Sequence, residues 1–390
     1  MLAFAKAEYL ERIAKTKQRM EILGIEVLCV TDPANLCYLT GYDGWSFYVH
    51  QMLLVVQEIA DPFWIGRGMD ANAARATTFL TENHIYPYPD DYVQSIHKHP
   101  MEFVADLIKE KGWDKRSIGV EMDNYYFTAA CFASLKKHLP NAVFNDATAL
   151  VNWVRVIKSP QEIDFMRQAA QIVEKAMAVA LEVIAPGVRQ CDAVAAICQA
   201  QISGTPAFGG DYTAIVPMLP TGSGTSTPHL TWTDQPFVGG EATILELAGC
   251  RRRYHCPMAR TLHLGKPPQK LVDTAEVVNA GLTAALAAAK PGVTCEEVEA
   301  VWCRTIAKHG IVKDSRIGYS TGLNYPPDWG EHTLSLRPGD KTVLQENMTL
   351  HMIPGIWLDD WGIEISECFR VTEAGAELFT AFPRQVFIKE

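Results

Sequence analysis

Four short stretches of this 390-residue chain carry side chains that could do chemistry. Glu246 lies in an apolar run, Glu364 lies between two isoleucines, and His229 ends a loop rich in Gly, Ser and Thr. Tyr319 belongs to the fourth stretch, Gly-Tyr-Ser-Thr-Gly-Leu. A carboxylate can act as a nucleophile, and a histidine titrates near neutral pH, as acid–base catalysis requires. These residue types could support nucleophilic and acid–base chemistry by side chains.

Each of these residues also has an ordinary structural interpretation. An acid inside an apolar strand pays heavily for desolvation unless it has partners, and backbone amides or Arg260 could supply them to Glu246. His229 could be a loop histidine without a chemical role, and Tyr319 could simply pack. Because Glu364 alternates with its isoleucine neighbours, we expect it to face away from them, and solvent exposure is then the simplest outcome.

The elements that must position these residues begin with an alternation of helices and strands. An apolar stripe over residues 10–23 predicts a helix that Gly24 ends. Residues 25–30, 51–57 and 117–121 have the composition of strands. This order is typical of an α/β layer domain, which we assign to residues 1–154.

A second domain, residues 155–390, is predicted to begin with a strongly marked helix. Ser159 at the N-cap, Pro160 at the first helical position and Glu162 three residues after the cap form a capping box. A Pro-Gly-Val break after an alanine-rich helix occurs twice, 105 residues apart, at residues 185–188 and 290–293. The repeat predicts an internally duplicated α+β domain with its ligand cleft between the halves.

Composition narrows the class of protein. Hydrophobic residues make up 48% of the chain and charged ones 21%, and the formal net charge of −10 disfavours a nucleic-acid partner. We expect no membrane span, because no apolar run reaches the ~18 residues that crossing a bilayer requires. The ten cysteines form no C-x-x-C pair and the N-terminus does not have the pattern of a signal peptide, so we expect a cytoplasmic protein.

Several motifs resemble those of one enzyme family. Residues 155–163 (RVIKSPQEI) resemble the entry to the first helix of the pita-bread fold shared by creatinase, prolidase, Xaa-Pro aminopeptidase and methionine aminopeptidase. Residues 259–261, 318–323 and 371–375 resemble three further motifs of its catalytic domain, and residues 35–41 (NLCYLTG) resemble its N-terminal domain. The resemblance implies a creatinase-like α/β domain followed by a pita-bread domain with internal pseudo-two-fold duplication.

The metal-binding positions of that family are altered here. Its metallopeptidases hold two metals with two aspartates, one histidine and two glutamates. The resemblance places Glu246, Pro257, Tyr319, Ile353 and Ser366 at those positions. Divalent ions need several convergent donor atoms, which this set does not supply. We therefore expect a metal-free member, as creatinase is, with no metal and no other cofactor.

The resemblance also implies a reaction. Metal-free members hydrolyse C–N bonds at amidine or guanidine carbons, and residues 245–255 and 40–51 most resemble a member that opens a small cyclic amidine. By this resemblance Glu246 is the nucleophile, His229 manages the protons, and Tyr319 and Glu364 stabilise the amidinium. Alternatives are a creatinase-like hydrolase of another amidine or guanidine, a non-catalytic binding protein and, last, a metal-dependent Xaa-Pro peptidase.

Three further residues are candidates for binding the substrate. Trp45 and Tyr48 are either core residues at the start of a strand or the wall of a pocket for a delocalised cation. The resemblance implies a homodimer in which this aromatic stretch closes over the neighbouring subunit's cleft. His255 is a weaker candidate for orienting the reacting groups. A deacetylase is a metabolically sensible partner for such an enzyme.

Overall fold

The computed structural model describes residues 2–390, which form two compact units. The first unit ends at Arg155 and the second runs from Val156 to Glu390.

The first unit is built on one six-stranded mixed sheet with the strand order β4-β3-β2-β1-β5-β6. Its central strand β1 pairs antiparallel with β2 and parallel with β5. Buried side chains cover both faces of the sheet, as a layered α/β domain requires. Its elements are α1 (Lys6–Ile22), β1 (Val27–Val30), α2 (Pro33–Thr40), β2 (Met52–Val56), β3 (Phe63–Arg67), α3 (Ala71–Thr77), β4 (Ile85–Tyr88), α4 (Pro100–Glu110), β5 (Ser117–Val120), α5 (Ala129–His138), β6 (Val143–Asp146) and α6 (Asn152–Arg155).

The predicted strands of this unit are confirmed to within two residues at their ends, and the predicted first helix begins four residues before its apolar stripe. The first helix ends just before Gly24, whose φ of 65° is the left-handed conformation that glycine tolerates best. The strands predicted at residues 25–30, 51–57 and 117–121 are β1, β2 and β5.

The second unit contains four helices and three separate sheets. The sheets have the strand orders β16-β8-β7, β10-β9-β11-β14-β15 and β12-β13. Its elements are α7 (Pro160–Val183), α8 (Gln190–Ser203), β7 (Ala242–Arg251), β8 (Tyr254–Leu264), α9 (Gln269–Ala288), α10 (Cys295–Ala307), β9 (Gly318–Thr321), β10 (Gly330–Leu336), β11 (Thr349–Met352), β12 (Ile356–Trp357), β13 (Gly362–Ile363), β14 (Glu367–Thr372), β15 (Gly375–Leu378) and β16 (Val386–Lys389).

Helix α7 begins at the predicted capping box and packs closely on strand β7. The Ser159 side chain accepts a hydrogen bond from the Glu162 N–H, and the Glu162 carboxylate accepts one from the Ser159 N–H. At the contact with β7, a methyl group placed on Gly249 would lie 1.9 Å from the carbonyl oxygen of Ala169. Only glycine allows this approach, which holds β7 against the helix.

The predicted internal repeat is confirmed around its two breaks. Gly187 and Gly292 have nearly the same φ, 87° and 89°, and a helix follows each. The residue that opens each following helix makes an isolated antiparallel bridge, Arg189 with Pro236 and Thr294 with Val343. The two halves therefore repeat their backbone pairing as well as their sequence.

Helix α9 is the one helix of residues 2–390 that is long and apolar enough to cross a membrane by length and composition. Half of its most apolar window is buried inside the protein. Residues Leu271, Val278, Leu282 and Ala285 are among the side chains it buries, the pattern of a core helix.

Candidate active site

Glu246 lies in the middle of β7 and is 5% exposed. Its backbone pairs with Ala259 of β8 on one side and exchanges hydrogen bonds of 3.1 Å with Met218 on the other. Both strands are buried along almost their whole length, so this carboxyl group is held in an apolar interior.

The expectation that Arg260 could neutralise Glu246 is wrong. Arg260 follows Ala259 on β8 and therefore points to the opposite face of the sheet. There it contacts Glu367 at 3.0 Å and donates to the backbone oxygens of Phe382 and Pro383.

Glu364 is buried, so its alternative interpretation as a solvent-exposed residue is wrong. The strand-like sequence of residues 362–371 is also interrupted. Ile363, Glu364 and Ile365 are all at most 1% exposed, because the predicted strand breaks between β13 and β14. The Thr261 hydroxyl replaces the missing strand partner: it accepts from the Glu364 N–H at 3.0 Å and donates to the Glu364 carbonyl at 2.9 Å. This break turns the Glu364 carboxyl into the interior.

Three carboxyl groups act on one another at this site. Burial, reinforced by Glu364 and Asp328, holds the pKa of Glu246 well above its usual range. Burial also raises the pKa of Glu364 to about 8, although Lys313 pulls it down. One oxygen of the Glu364 carboxyl, Oε2, has no hydrogen-bond partner within residues 2–390. The site therefore favours protonated carboxyls until a cation enters.

Asp328 differs from the other two acids. Burial alone would raise its pKa, but a hydrogen bond with His332 at 2.8 Å and one from the Gly330 N–H at 2.9 Å bring its pKa below the usual value. Asp328 thus supplies a standing negative charge near Glu246 and Tyr319.

Tyr319 belongs to a chain of hydrogen bonds that leads away from the carboxyl groups. Its hydroxyl accepts from the Trp329 indole N–H at 2.8 Å and lies 3.1 Å from Nδ1 of His351. Nε2 of His351 lies 2.7 Å from the Ser366 hydroxyl, which also accepts from the Ala259 N–H at 2.7 Å. Burial raises the pKa of Tyr319 well above 10.

His351 is neutral, because burial, with Arg260 and Arg316 nearby, lowers its pKa to about 3. The Trp329 indole can only donate, so the Tyr319 oxygen accepts at that contact. The directions of the Tyr319–His351 and His351–Ser366 hydrogen bonds follow the tautomer of His351. The Tyr319 oxygen is held in one orientation beside Glu246.

Lys313 is the cation beside Glu364. Its ammonium donates to the Gly355 carbonyl at 2.7 Å and to the Ser315 hydroxyl at 2.8 Å, and it lies 4.4 Å above the Trp357 ring. Burial lowers its pKa to about 8, against the pull of Glu364. Sequence reasoning missed Lys313, Asp328 and His351; of these, only His351, a histidine inside a short apolar strand, carries a local signal.

His229 lies outside this buried group. It occupies an exposed turn after the short 3₁₀ helix Gly222–Ser226. The next residue, Leu230, accepts from the Leu219 N–H at 3.1 Å, and Leu219 follows the Met218 that pairs with Glu246. The segment therefore runs beside β7, but no hydrogen bond joins His229 to the buried acids in the described chain.

His255 lies on β8, fully buried, and is neutral. Its Nε2 accepts from the Ala214 N–H at 2.9 Å, and burial lowers its pKa to about 4. Across residues 2–390 its Nδ1 has no partner. The ring holds the Ala214 loop against the hairpin, and one nitrogen faces the interior.

Trp45 and Tyr48 lie in the first unit and are exposed, so their interpretation as core residues is wrong. Their exposed fractions are 58% and 64%. Trp45 packs against Phe47 with ring centroids 4.8 Å apart, and Tyr48 lines a cavity together with His50 and His99.

Two family models match the chain. The model "Creatinase/Prolidase N-terminal domain" matches residues 12–157, and the model "Metallopeptidase family M24" matches residues 164–373. The chain belongs to metallopeptidase family M24 and is a hydrolase acting on C–N bonds.

Similar proteins cover the whole chain. An ectoine hydrolase of Halomonas elongata is 47% identical, covering 100% of this chain and 99% of the relative. An uncharacterised hydrolase/peptidase of Sinorhizobium fredii is 47% identical over 100% of both. The prolidase structure from Pyrococcus horikoshii is 20% identical with a TM-score of 0.81, covering 96% of this chain and 99% of that one, which confirms the pita-bread fold.

The residues present do not fit the two metals of the family's metallopeptidases. Pro257 pairs with Ala248 and so shares a face of the hairpin with Glu246, where it offers no ligand atom. Within residues 2–390, no group of three mutually close His, Cys, Asp or Glu ligands includes Glu246 or Glu364. A dinuclear site needs more donor atoms than this cleft provides.

Proposed function

We propose that this chain opens the cyclic amidine ring of ectoine to give N-acetyl-L-2,4-diaminobutyrate, without a metal. The observation that carries the proposal is the pair of buried carboxyl groups of Glu246 and Glu364, since burial together with Glu364 raises the pKa of Glu246. The 47% identity to an ectoine hydrolase over the full chain supports this substrate.

The charges of the site suit an amidinium cation. Asp328 is a standing anion, and Glu246 and Glu364 hold protons that a bound cation would help them release. An amidinium offers one positive charge spread over two N–H groups. It can therefore donate a hydrogen bond to each glutamate and receive charge compensation from both.

The amidinium carbon is already electrophilic, so a carboxylate can attack it directly. In the proposed first step an oxygen of Glu246 bonds to the ring carbon between the two nitrogens. One ring C–N bond then breaks, and that nitrogen takes up a proton and leaves as an amine. Water next adds its oxygen to the carbon bound to Glu246, which frees the carboxylate and leaves the amide. The sum is one amidine plus one water giving one amide and one amine.

Three groups assist this reaction in the proposal. His229, on the exposed turn beside β7, moves protons between the leaving nitrogen and solvent. Tyr319, held by Trp329 and His351, presents its oxygen to an amidinium N–H. Arg316 lies 4.5 Å from the Tyr319 ring and takes the substrate carboxylate.

The exposed aromatics fit the expected homodimer. Trp45 and Tyr48 would cover the cleft of the neighbouring subunit, where their faces suit a delocalised cation. We also keep as proposals a cytoplasmic location and a deacetylase partner that removes the acetyl group of the product.

The test is turnover of ectoine, hydroxyectoine and creatine by the purified protein after chelation. We expect ring opening of ectoine that survives chelation, and Glu246→Gln lowering kcat by at least about 10³-fold, since it removes the nucleophile. A rapidly quenched wild-type reaction should add a substrate-derived mass to the peptide containing Glu246.

The control is Glu241→Gln, a partly buried glutamate just before β7 and outside the carboxyl pair. Near-normal turnover by Glu246→Gln would refute the covalent step. If creatine is the only compound hydrolysed, the substrate is a guanidine. If none of the three compounds is hydrolysed, the chain is better explained as a binding protein. If chelation abolishes the activity and manganese restores it, the chain is a metal-dependent enzyme like the peptidases of the family.

A further inference from the structure

A second cluster of chemically capable side chains lies in the first unit. His50 precedes β2, His99 is the N-cap of α4, and Cys131 lies in the first turn of α5. One ligand atom from each lies within 4.8 Å of the others. Three separate segments thus bring two imidazoles and one thiol together, and none of these three side chains has a role in the proposed hydrolysis.

The spacing fits a tetrahedral metal site. Zinc binds sulfur at about 2.3 Å and imidazole nitrogen at about 2.0–2.1 Å, which at a tetrahedral angle puts the two ligand atoms roughly 3.6 Å apart. The Cys131 sulfur lies 3.5 Å from Nδ1 of His50, and the two imidazole centroids are 5.0 Å apart. A thiol–imidazole hydrogen bond accounts for the first distance, and the His99 ring adds a second imidazole next to it.

The capping role of His99 is compatible with metal binding. His99 accepts the Met101 N–H at 3.1 Å through Nδ1, which leaves Nε2 available to a metal ion.

Surrounding groups hold two of the ligands in place. The Tyr88 hydroxyl donates to the His50 carbonyl at 2.6 Å. The Thr128 hydroxyl lies 3.4 Å from the Cys131 sulfur and accepts the Cys131 N–H at 3.3 Å. Groups that hydrogen-bond to the ligand residues help to hold them in position in metal sites.

A cavity of about 130 Å³ adjoins the cluster, lined by both histidines and by Tyr48, Tyr92 and Lys98. It has room for a water or a small anion as the fourth ligand. Three protein ligands and one open position are the usual coordination of a catalytic zinc site, whereas a structural site has four protein ligands.

We propose that His50, His99 and Cys131 bind one Zn²⁺ ion, with its fourth position open to this cavity. These three residues belong to the first unit and Glu246 to the second, and the zinc proposal does not depend on the proposed reaction.

The experiment measures zinc bound to the full-length protein. After chelation and dialysis, the wild type is incubated with ZnCl₂ under a reductant, desalted, and analysed for metal content. We expect one retained equivalent, lost in Cys131→Ser, His50→Gln and His99→Asn. Asparagine at position 99 can still cap α4, so its folding is preserved. Each of the three ligand substitutions should weaken zinc binding by more than about 10–100-fold, which is the usual cost of changing a residue that only contacts a ligand.

Controls locate the metal. Cys37→Ser and His84→Gln change a cysteine and a histidine of the same unit, and Glu246→Gln changes the cleft of the second unit. All three should keep the equivalent. Co²⁺ should give a thiolate charge-transfer band that disappears in Cys131→Ser, with circular dichroism confirming that each variant is folded. The proposal is overturned if the wild type retains no zinc. It is also overturned if folded Cys131→Ser keeps its zinc, or if Glu246→Gln loses it.

Discussion

Glu364 is a buried acid whose titration is linked to the stability of the fold. Burial raises its pKa from 4.5 to about 8, so between these values the folded protein holds a proton that the unfolded chain has lost. Stability therefore falls as pH rises from about 4.5 to about 8. At 1.36 kcal/mol per pKa unit, this rise in pKa corresponds to a loss of about 5 kcal/mol.

Glu364→Gln removes this titration and keeps the shape of the side chain. We expect the variant to match the wild type near pH 4.5 and to be more stable near pH 8, by up to about 5 kcal/mol. The figure is an upper limit, because Glu246 and Lys313 also respond to the charge on this carboxyl. The same variant should turn over ectoine poorly, since it removes one of the two amidinium partners.

The assay is urea unfolding of both proteins across this pH range, followed by tryptophan fluorescence. Glu373→Gln, an exposed glutamate between β14 and β15, is the matched control and should follow the wild type at every pH. If the free energies of unfolding of Glu364→Gln and the wild type change with pH in parallel, the reasoning is refuted. The buried carboxyl would then have no pH-dependent effect on stability.

Two further substitutions test other parts of the second unit. Tyr319→Phe should lower kcat/KM about 10–10²-fold in steady-state assays without changing the fold, because it removes the oxygen that His351 orients; an unchanged value would remove Tyr319 from the mechanism. Glu331→Gln should destabilise the protein by about 3–5 kcal/mol in thermal or urea unfolding, because Lys158 and Glu331 contact at 2.8 Å with side chains 0% exposed. A change below about 1 kcal/mol would show that the Lys158 charge is satisfied without this partner.

Sequence patterns predicted the local elements well where a residue type has one strongly preferred backbone position, such as a helix cap or a turn. The capping boxes at Ser159 and Thr294 and the glycines after two helices have physical meanings that depend on a few neighbours. The same holds for the repeated Pro-Gly-Val break, which predicted the duplication of the second unit.

Patterns failed where a distant residue changed the outcome. Alternation around Glu364 predicted one continuous strand, but the Thr261 hydroxyl, 103 positions away, takes the place of a strand partner and breaks it. Arg260 was a reasonable partner for Glu246 by proximity in sequence, and the pleat of β8 turns it to the other face.

Residue type and local order were enough to predict the fold family and the position of Glu246 in an apolar strand. The folded structure alone shows that Glu364 and Asp328 act on Glu246, that Lys313 acts on Glu364, and that His351 contacts Tyr319. Charge, burial and proton position depend on groups that meet from distant parts of the chain, and no local pattern records which groups will meet.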